Sequence, residues 1–332
     1  MKLPRRRFLR LAIGAAAAPA LPRIARAQVS NAQVWPTRIV RLVVGFPAGG
    51  GNDTAARIVA NRLSEIWGQQ VIVENKGGAG GKLAFETVAH ASPDGYTMLF
   101  GFPGLVFNSF LFSSLNYDPI ADFAPVSLIG TYANLVVVPN SSPVKTFQDF
   151  LARAKANPGK VTFASPGVGT SPHLAGELLK HRAGIDITHV PYRGTAAGAT
   201  SDLIAGRIES MFNTTGSLLQ ATRAGQMRGL AVTSAERAAT APEFPTIAES
   251  GVPGFDVSGW YSLFVHSKTS PDIIRKMHAD TATVLGEPAV KAKFEPLGIV
   301  VASSSPQALA ERVRSEFELW GPVIKAANIK GE

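Results

Sequence analysis

Ile39-Val40-Arg41-Leu42-Val43-Val44-Gly45 runs straight into Phe46-Pro47-Ala48-Gly49-Gly50-Gly51-Asn52-Asp53. The first half is a short β-branched apolar run, the signature of a buried parallel strand. The second half is a glycine-rich loop. Behind it Ile58, Leu63 and Ile66 share one face of a helix that spans about 53–67 and stops at Gly68. The unit repeats. Val71-Ile72-Val73 is a strand, Lys76 to Gly81 a second glycine loop, Leu83 to His90 a helix, Pro93-Asp94-Gly95 a turn and Thr97-Met98-Leu99-Phe100 a strand. The βαβαβ order predicts an α/β fold with a parallel, doubly wound sheet.

The pattern restarts after residue 126. Val126–Ile129 and Leu135–Val138 read as strands. Thr146 opens a helix with Asp149 at the capping-box position, running to Asn157. Strands at 161–164, 187–190, 208–212 and 229–232 alternate with helices at 172–182, 196–205 and 217–224. Ser258–Val265 is a further extended run, and helices follow at 271–285 and 306–327. Two α/β units and a return segment predict two lobes joined by strands that cross near 130–135 and 255–260. The expected lobes are 28–130 plus 259–332, and 131–258.

Composition narrows the function classes. The chain has 332 residues, 45% hydrophobic and 17% charged, and no cysteine. That is too apolar for disorder, and it excludes a disulfide scaffold, thiolate metal sites and a cysteine nucleophile. The net charge of +9 invites a nucleic-acid reading, but seven of the positive charges lie in residues 1–27 with no acid beside them. The rest of the chain carries 26 basic against 24 acidic residues. Residues 1–27 read as an export signal of twin-arginine form. Arg5-Arg6-Arg7-Phe8-Leu9-Arg10 is the basic region, Leu11–Leu21 an apolar stretch too short for a bilayer, and Ala25-Arg26-Ala27 a cleavage site. The Sec route stays open as an alternative. The expected compartment is the periplasm.

Four strand-to-helix loops carry the chemistry. Glycines let the backbone approach a ligand, and helix-start N–H groups favour an anion. In the first loop Asn52 reads as the N-cap. Asp53 stabilises the helix start but would repel a carboxylate if it faced the pocket. Holding the loop, orienting a water and meeting an amino group all stay open for it. Ser165-Pro166-Gly167-Val168-Gly169-Thr170-Ser171-Pro172-His173 repeats the device, with Ser171 as N-cap and Pro172 at the first helical position. His173 reads first as a structural histidine bonded to its loop. Tyr192-Arg193-Gly194-Thr195, with Thr195 as cap, and Phe212-Asn213-Thr214 supply the other two loops. In open α/β sheets ligands bind at the carboxyl ends of strands, so facing edges would make an interlobe cleft.

Enzyme signatures fail. Gly81-Lys82 lacks the P-loop glycine at Lys76 and the Ser/Thr at Leu83, and Pro172 breaks the dinucleotide pattern. No Gly-x-Ser-x-Gly elbow occurs. The histidines at 90, 173, 181, 189, 266 and 278 show no metal-ligand pairing. No cofactor and no metal are expected.

The ordered set of Trp35-Pro36-Thr37-Arg38 with Phe46–Gly50, Val73–Gly81, Ser92–Thr97, Val190–Gly194, Gly229–Ser234 and Pro245–Phe255 resembles the substrate-binding receptors of tripartite tricarboxylate transporters, the Bug-type extracytoplasmic receptors. The resemblance spans the chain beyond the export signal. It implies a two-lobed periplasmic-binding-protein fold of type II that encloses a small carboxylate and delivers it to permease subunits, as a monomer that is not an enzyme. By motif position it places ligand contacts on Phe46, Ala48, Asn52 and Asp53, and on Ser165, Thr170, Ser171 and His173. Gly49, Gly104, Gly169, Thr195 and Asn213, from the same strand ends, complete the candidate set. Asn213-Thr214 stands where the family commonly has Asp-Asn, which would remove a negative charge from the cleft. A ligand sensor feeding a signalling protein and an exported hydrolase using Asp53 and His173 are the alternatives.

Overall fold

The computed structural model describes residues 35–192, 196–326 and 328–330. The export signal expected at 1–27 and the candidate Thr195 lie outside the described residues. From residue 36 onward the chain forms two sheets. The first part runs β1 (Val40–Val44), α1 (Gly51–Trp67), β2 (Val71–Asn75), α2 (Lys82–Ala89), β3 (Thr97–Gly101), α3 (Gly104–Leu111) and β4 (Phe123–Tyr132). The second runs β5 (Asn134–Pro139), α4 (Phe147–Ala156), β6 (Val161–Ser165), α5 (Ser171–Ala183), β7 (Ile187–Pro191), α6 (Ala196–Ile204), β8 (Ser210–Thr214), α7 (Thr215–Arg223) and β9 (Met227–Val232). The chain then returns through β10 (Gly259–His266), α8 (Pro271–Gly286), α9 (Pro288–Phe294), β11 (Ile299–Val301) and α10 (Pro306–Ala326).

The six-stranded sheet has the order β11-β4-β10-β3-β1-β2 and the five-stranded sheet β7-β6-β8-β5-β9. β1 is parallel to β2 and β3, and β6 is parallel to β7 and β8. The sheets are nevertheless mixed, not wholly parallel as the βαβαβ reading predicts. β10 is antiparallel to both β3 and β4, and β5 is antiparallel to β8 and β9. The cause is connectivity. The chain leaves the first sheet along β4 and re-enters along β10, so the two crossing strands run in opposite directions. Gly259 pairs with Tyr132 where they meet, and the ideal Cβ of residue 259 would lie 2.1 Å from the Tyr132 ring. Only glycine lets these strands approach.

Local chemistry explains most elements. Apart from Arg41 and Asn134 the strands β1 and β5 are apolar, and all of their residues but Arg41 are buried, as runs between two layers should be. Thr146 and Asp149 form the predicted capping box: the Asp149 N–H donates to Thr146 Oγ1 at 3.1 Å and the Thr146 N–H to Asp149 Oδ2 at 2.9 Å. Two caps shift by one or two residues. Gly50, not Asn52, caps α1, and Thr170, not Ser171, caps α5, because these are the last residues with extended backbone. Three elements escape the sequence reading. α3 has Leu105, Val106, Phe107 and Leu111 all buried, so its pattern shows no polar face. α9 and β11 span only seven and three residues.

Candidate functional site

The carboxyl ends of β1, β6 and β8 carry the starts of α1, α5 and α7, and these three helix starts open into one cavity of about 480 Å³. The first intrahelical bond of α1 is Thr54 N–H to the Gly50 carbonyl at 2.9 Å, so the N–H groups of Gly51, Asn52 and Asp53 precede the ladder. In α5 the first is Leu174 N–H to Thr170, and in α7 the Thr215 N–H turns to Ala133. No Asp, Glu, Lys, Arg or His lines this cavity among the described residues. Among the described residues, the positive charge that faces it is that of the helix starts, each equivalent to roughly half a charge.

Of the candidates, Phe46, Ala48, Gly49, Asn52, Thr170, Ser171 and Asn213 line this cavity. Asn213 is 2% exposed, its Oδ1 accepts the Thr214 N–H at 2.8 Å, and its Nδ2 has no partner. The Oδ1 of Asn52 is likewise buried and unpartnered. Two uncharged amides thus keep hydrogen-bonding capacity at the cavity wall. Ser171 Oγ donates to Asn134 Oδ1 at 3.2 Å, and Asn134 also bonds Thr233 across the strand crossing. The helix start and the crossing are mechanically tied.

The other candidates support the loops from behind. Asp53 lines neither of the two cavities described here. Its carboxylate accepts the Gly49 N–H and Arg57 Nε at 2.9 Å each and Asn75 Nδ2 at 2.9 Å. Burial pulls its pKa up, but the bonds from Arg57, Gly49 and Asn75 outweigh that and hold it below the usual value. Of the roles open to it in the sequence, the geometry gives it that of loop holder. Ser165 Oγ sits 2.7 Å from His189 Nε2 and accepts the Gly167 N–H at 3.1 Å. His173 accepts the Gly169 N–H at Nδ1, 3.3 Å away, and its ring stacks on His189 with centroids 4.1 Å apart. Burial drives the pKa of both imidazoles down, His189 to about 4. The pair on which a hydrolase would rest is therefore bonded into two separate loops. Gly169 meets the other lobe instead: its ideal Cβ would lie 3.0 Å from Leu111 and 3.3 Å from Asn108 Oδ1. Gly104 makes room for Phe102, whose ring would be 2.4 Å from a Cβ there.

Phe102 itself, Tyr132, Gly216, Ser217, Tyr261, Leu297 and Ile299 line the cavity and were not candidates. They come from strands β4 and β10, the residue after β3, the first turn of α7 and the stretch that leads into β11, far apart in sequence. The one signal for Phe102 is the set of glycines at 45, 81 and 104, all of which crowd its ring. A second cavity of about 630 Å³ shares Phe46, Pro166 and Thr170 with the first and extends along Gly78, Gly80 and Gly81 to Phe112 and Tyr192.

The chain is similar to known proteins over most of its length. Residues 55–329 match the family model "Tripartite tricarboxylate transporter family receptor". The "UPF0065 protein in tcbD-tcbE intergenic region" of Pseudomonas sp. (strain P51) is 41% identical over 291 residues, covering 87% of this chain and 86% of that protein. Among solved structures, "R. palustris Rpa4515 with adipate" is 36% identical with a TM-score of 0.84, covering 89% of this chain and 99% of that one. MatC from Rhodopseudomonas palustris with bound malate is 31% identical with a TM-score of 0.80, covering 87% and 100%.

Proposed function

This chain belongs to the tripartite tricarboxylate transporter family of receptors, and from that premise we propose that it captures a small carboxylate between its lobes and delivers it to the permease subunits of a tripartite transporter. Its two sheets and solved relatives give it the two-lobed periplasmic-binding-protein fold of type II. The observation that carries the carboxylate reading is the convergence of three helix starts on a cavity with no charged side chain among the described residues, and with the unpaired amide of Asn213 in its wall. Adipate and malate in the two solved relatives belong to the same chemical class.

Capture works by closure about the crossings at Tyr132–Asn134 and Val257–Gly259. A carboxylate bound to helix starts of both lobes binds the closed form better than the open one, and only that difference shifts the population. The lobes are those expected from the sequence, 28–130 plus 259–332 and 131–258, with the first boundary carried to Tyr132, where β4 ends. The protein acts as a monomer in the periplasm, exported by the twin-arginine signal at 1–27. No helix among the described residues is long and apolar enough to cross a membrane.

A thermal-shift panel of mono-, di- and tricarboxylates, sugars and polyamines tests the reading. At roughly one hundred times Kd, a true ligand adds about 2.7 kcal/mol of stability, a clear rise in Tm. A response to sugars or polyamines with none to any carboxylate overturns it.

A further inference from the structure

The walls of the 480 Å³ cavity divide into two faces. The polar face is the helix starts together with Asn213. The apolar part of the lining is Phe102, Tyr132, Tyr261, Leu297 and Ile299, with Leu297 packed on Gly216 at the start of α7. The Tyr132 and Tyr261 rings are both buried and lie 4.7 Å apart, so each supports the other within the wall. Phe102 is fixed by the glycines around it and packs on Phe46 with centroids 4.8 Å apart. We infer that the ligand of this cavity carries a single carboxylate on an uncharged, ring-sized body. The inference rests on the receptor reading above and deepens it.

Charge matching is the reason. Three helix starts supply roughly one and a half positive charges, which suits one carboxylate. A second carboxylate on the same body would meet Leu297, Ile299 and Phe102, with no cationic side chain among the described residues of the lining. Passing on into the neighbouring cavity gives no relief, because no charged side chain among the described residues lines that one either. Asn213 contributes a donor without a charge. A flat or cyclic hydrocarbon body matches the aromatic face by stacking and by area buried.

Isothermal titration of the purified protein with benzoate, cyclohexanecarboxylate, malate, adipate and citrate decides the matter. The expected result is that benzoate or cyclohexanecarboxylate binds at least about tenfold tighter than malate, adipate and citrate. Malate, adipate or citrate binding as tightly as the ring acids overturns this inference and leaves the receptor reading intact. Silence from every carboxylate overturns both. Leu297→Arg, checked for folding by its melting curve, places a cation on the apolar face. It should cut the preference for benzoate over adipate by about threefold or more. A preference that does not move shows that the ring acids bind elsewhere and overturns the assignment.

Discussion

The loop after β1 and the loop after β6 are the same device built from opposite electrostatics. In each, a glycine with positive φ sits four residues before a side chain in the first turn of the following helix, and its N–H is tied back to that side chain. Gly49 has φ of 87° and donates to Asp53, whereas Gly169 has φ of 78° and donates to His173. The first clamp is a buried carboxylate held ionised by Arg57 and Asn75. The second is a pair of imidazoles kept neutral, the buried His173 stacked on the half-buried His189, which bonds Ser165. One topology thus tolerates either a charged or a neutral lock. The two locks should fail under different conditions.

Acid is the sharpest way to separate them. His189 is pushed by burial from its unfolded value near 6.5 to about 4. The unfolded chain therefore binds a proton across that window and the folded chain does not. Stability is full above about pH 6.5, falls as the pH drops and levels off near pH 4, a loss of up to about 3 kcal/mol. His173 shifts in the same direction. Lys180 adds repulsion to both rings, and Glu177, whose pKa burial raises, faces His173 Nε2 at 4.0 Å. Asp53, with a depressed pKa, stays ionised through this window, and its contribution is lost only as the pH falls through that lowered value. Urea unfolding of the wild type and of His189→Gln at several pH values reads the effect. The variant should show a flatter profile, and identical slopes would break the comparison.

Removing the charged lock comes next. Asp53→Ala strands the Gly49 N–H and leaves Arg57 and Asn75 without their shared acceptor. The expected cost is about 2–3 kcal/mol, from charge-assisted bonds to a buried carboxylate. Asp53→Asn keeps the size and one acceptor oxygen and should cost about half as much. Chemical denaturation gives both numbers. Equal losses would mean that shape, not charge, holds the first loop.

Much of this pairing was legible in the sequence. Glycine-rich segments after apolar runs marked both loops, and Asp53 and His173 stood out by position. The partners were not legible. Asn75 and His189 arrive from neighbouring parallel strands, and only register places Asn75 beside Val44 and His189 beside Phe163. The cavity's apolar face was hidden for a related reason. Tyr132 and Tyr261 meet because β10 returns beside β4, and Leu297 and Ile299 flank Gly298 in a segment too short to show a period. Caps slipped by one or two residues because several small polar residues in a row can each serve.

A matched pair of glycine substitutions separates loop geometry from lobe closure. Gly49→Ala and Gly169→Ala both force an alanine to positive φ, costing about 1–2 kcal/mol each. A Cβ at 49 meets nothing within 4 Å, whereas one at 169 presses on Leu111 and Asn108 of the other lobe. The two variants should therefore lose similar stability, but Gly169→Ala should lose more ligand affinity, since only it obstructs closure. Calorimetric titration with the tightest-binding carboxylate reads the difference. Equal affinities would mean that the contact at Gly169 gives way without cost.

The smallest effect concerns the outer edge of the charged lock. Arg57 has a side chain 47% exposed, so its ion pair with Asp53 is screened by water on one side. Arg57→Ala should cost only about 0.5–1 kcal/mol, because an exposed pair contributes little and Asp53 keeps Gly49 and Asn75. The informative quantity is its salt dependence. If the contribution is Coulombic, the gap between wild type and variant narrows as sodium chloride rises from about 0.05 to 1 M, where the screening length falls to about 3 Å. The neutral histidine lock offers no such charge to screen, so His189→Gln measured in the same series should keep a constant gap. A gap at Arg57 that also stays constant would place its contribution in the stem packed over the helix. The first loop would then be held by hydrogen bonds alone, as the second is.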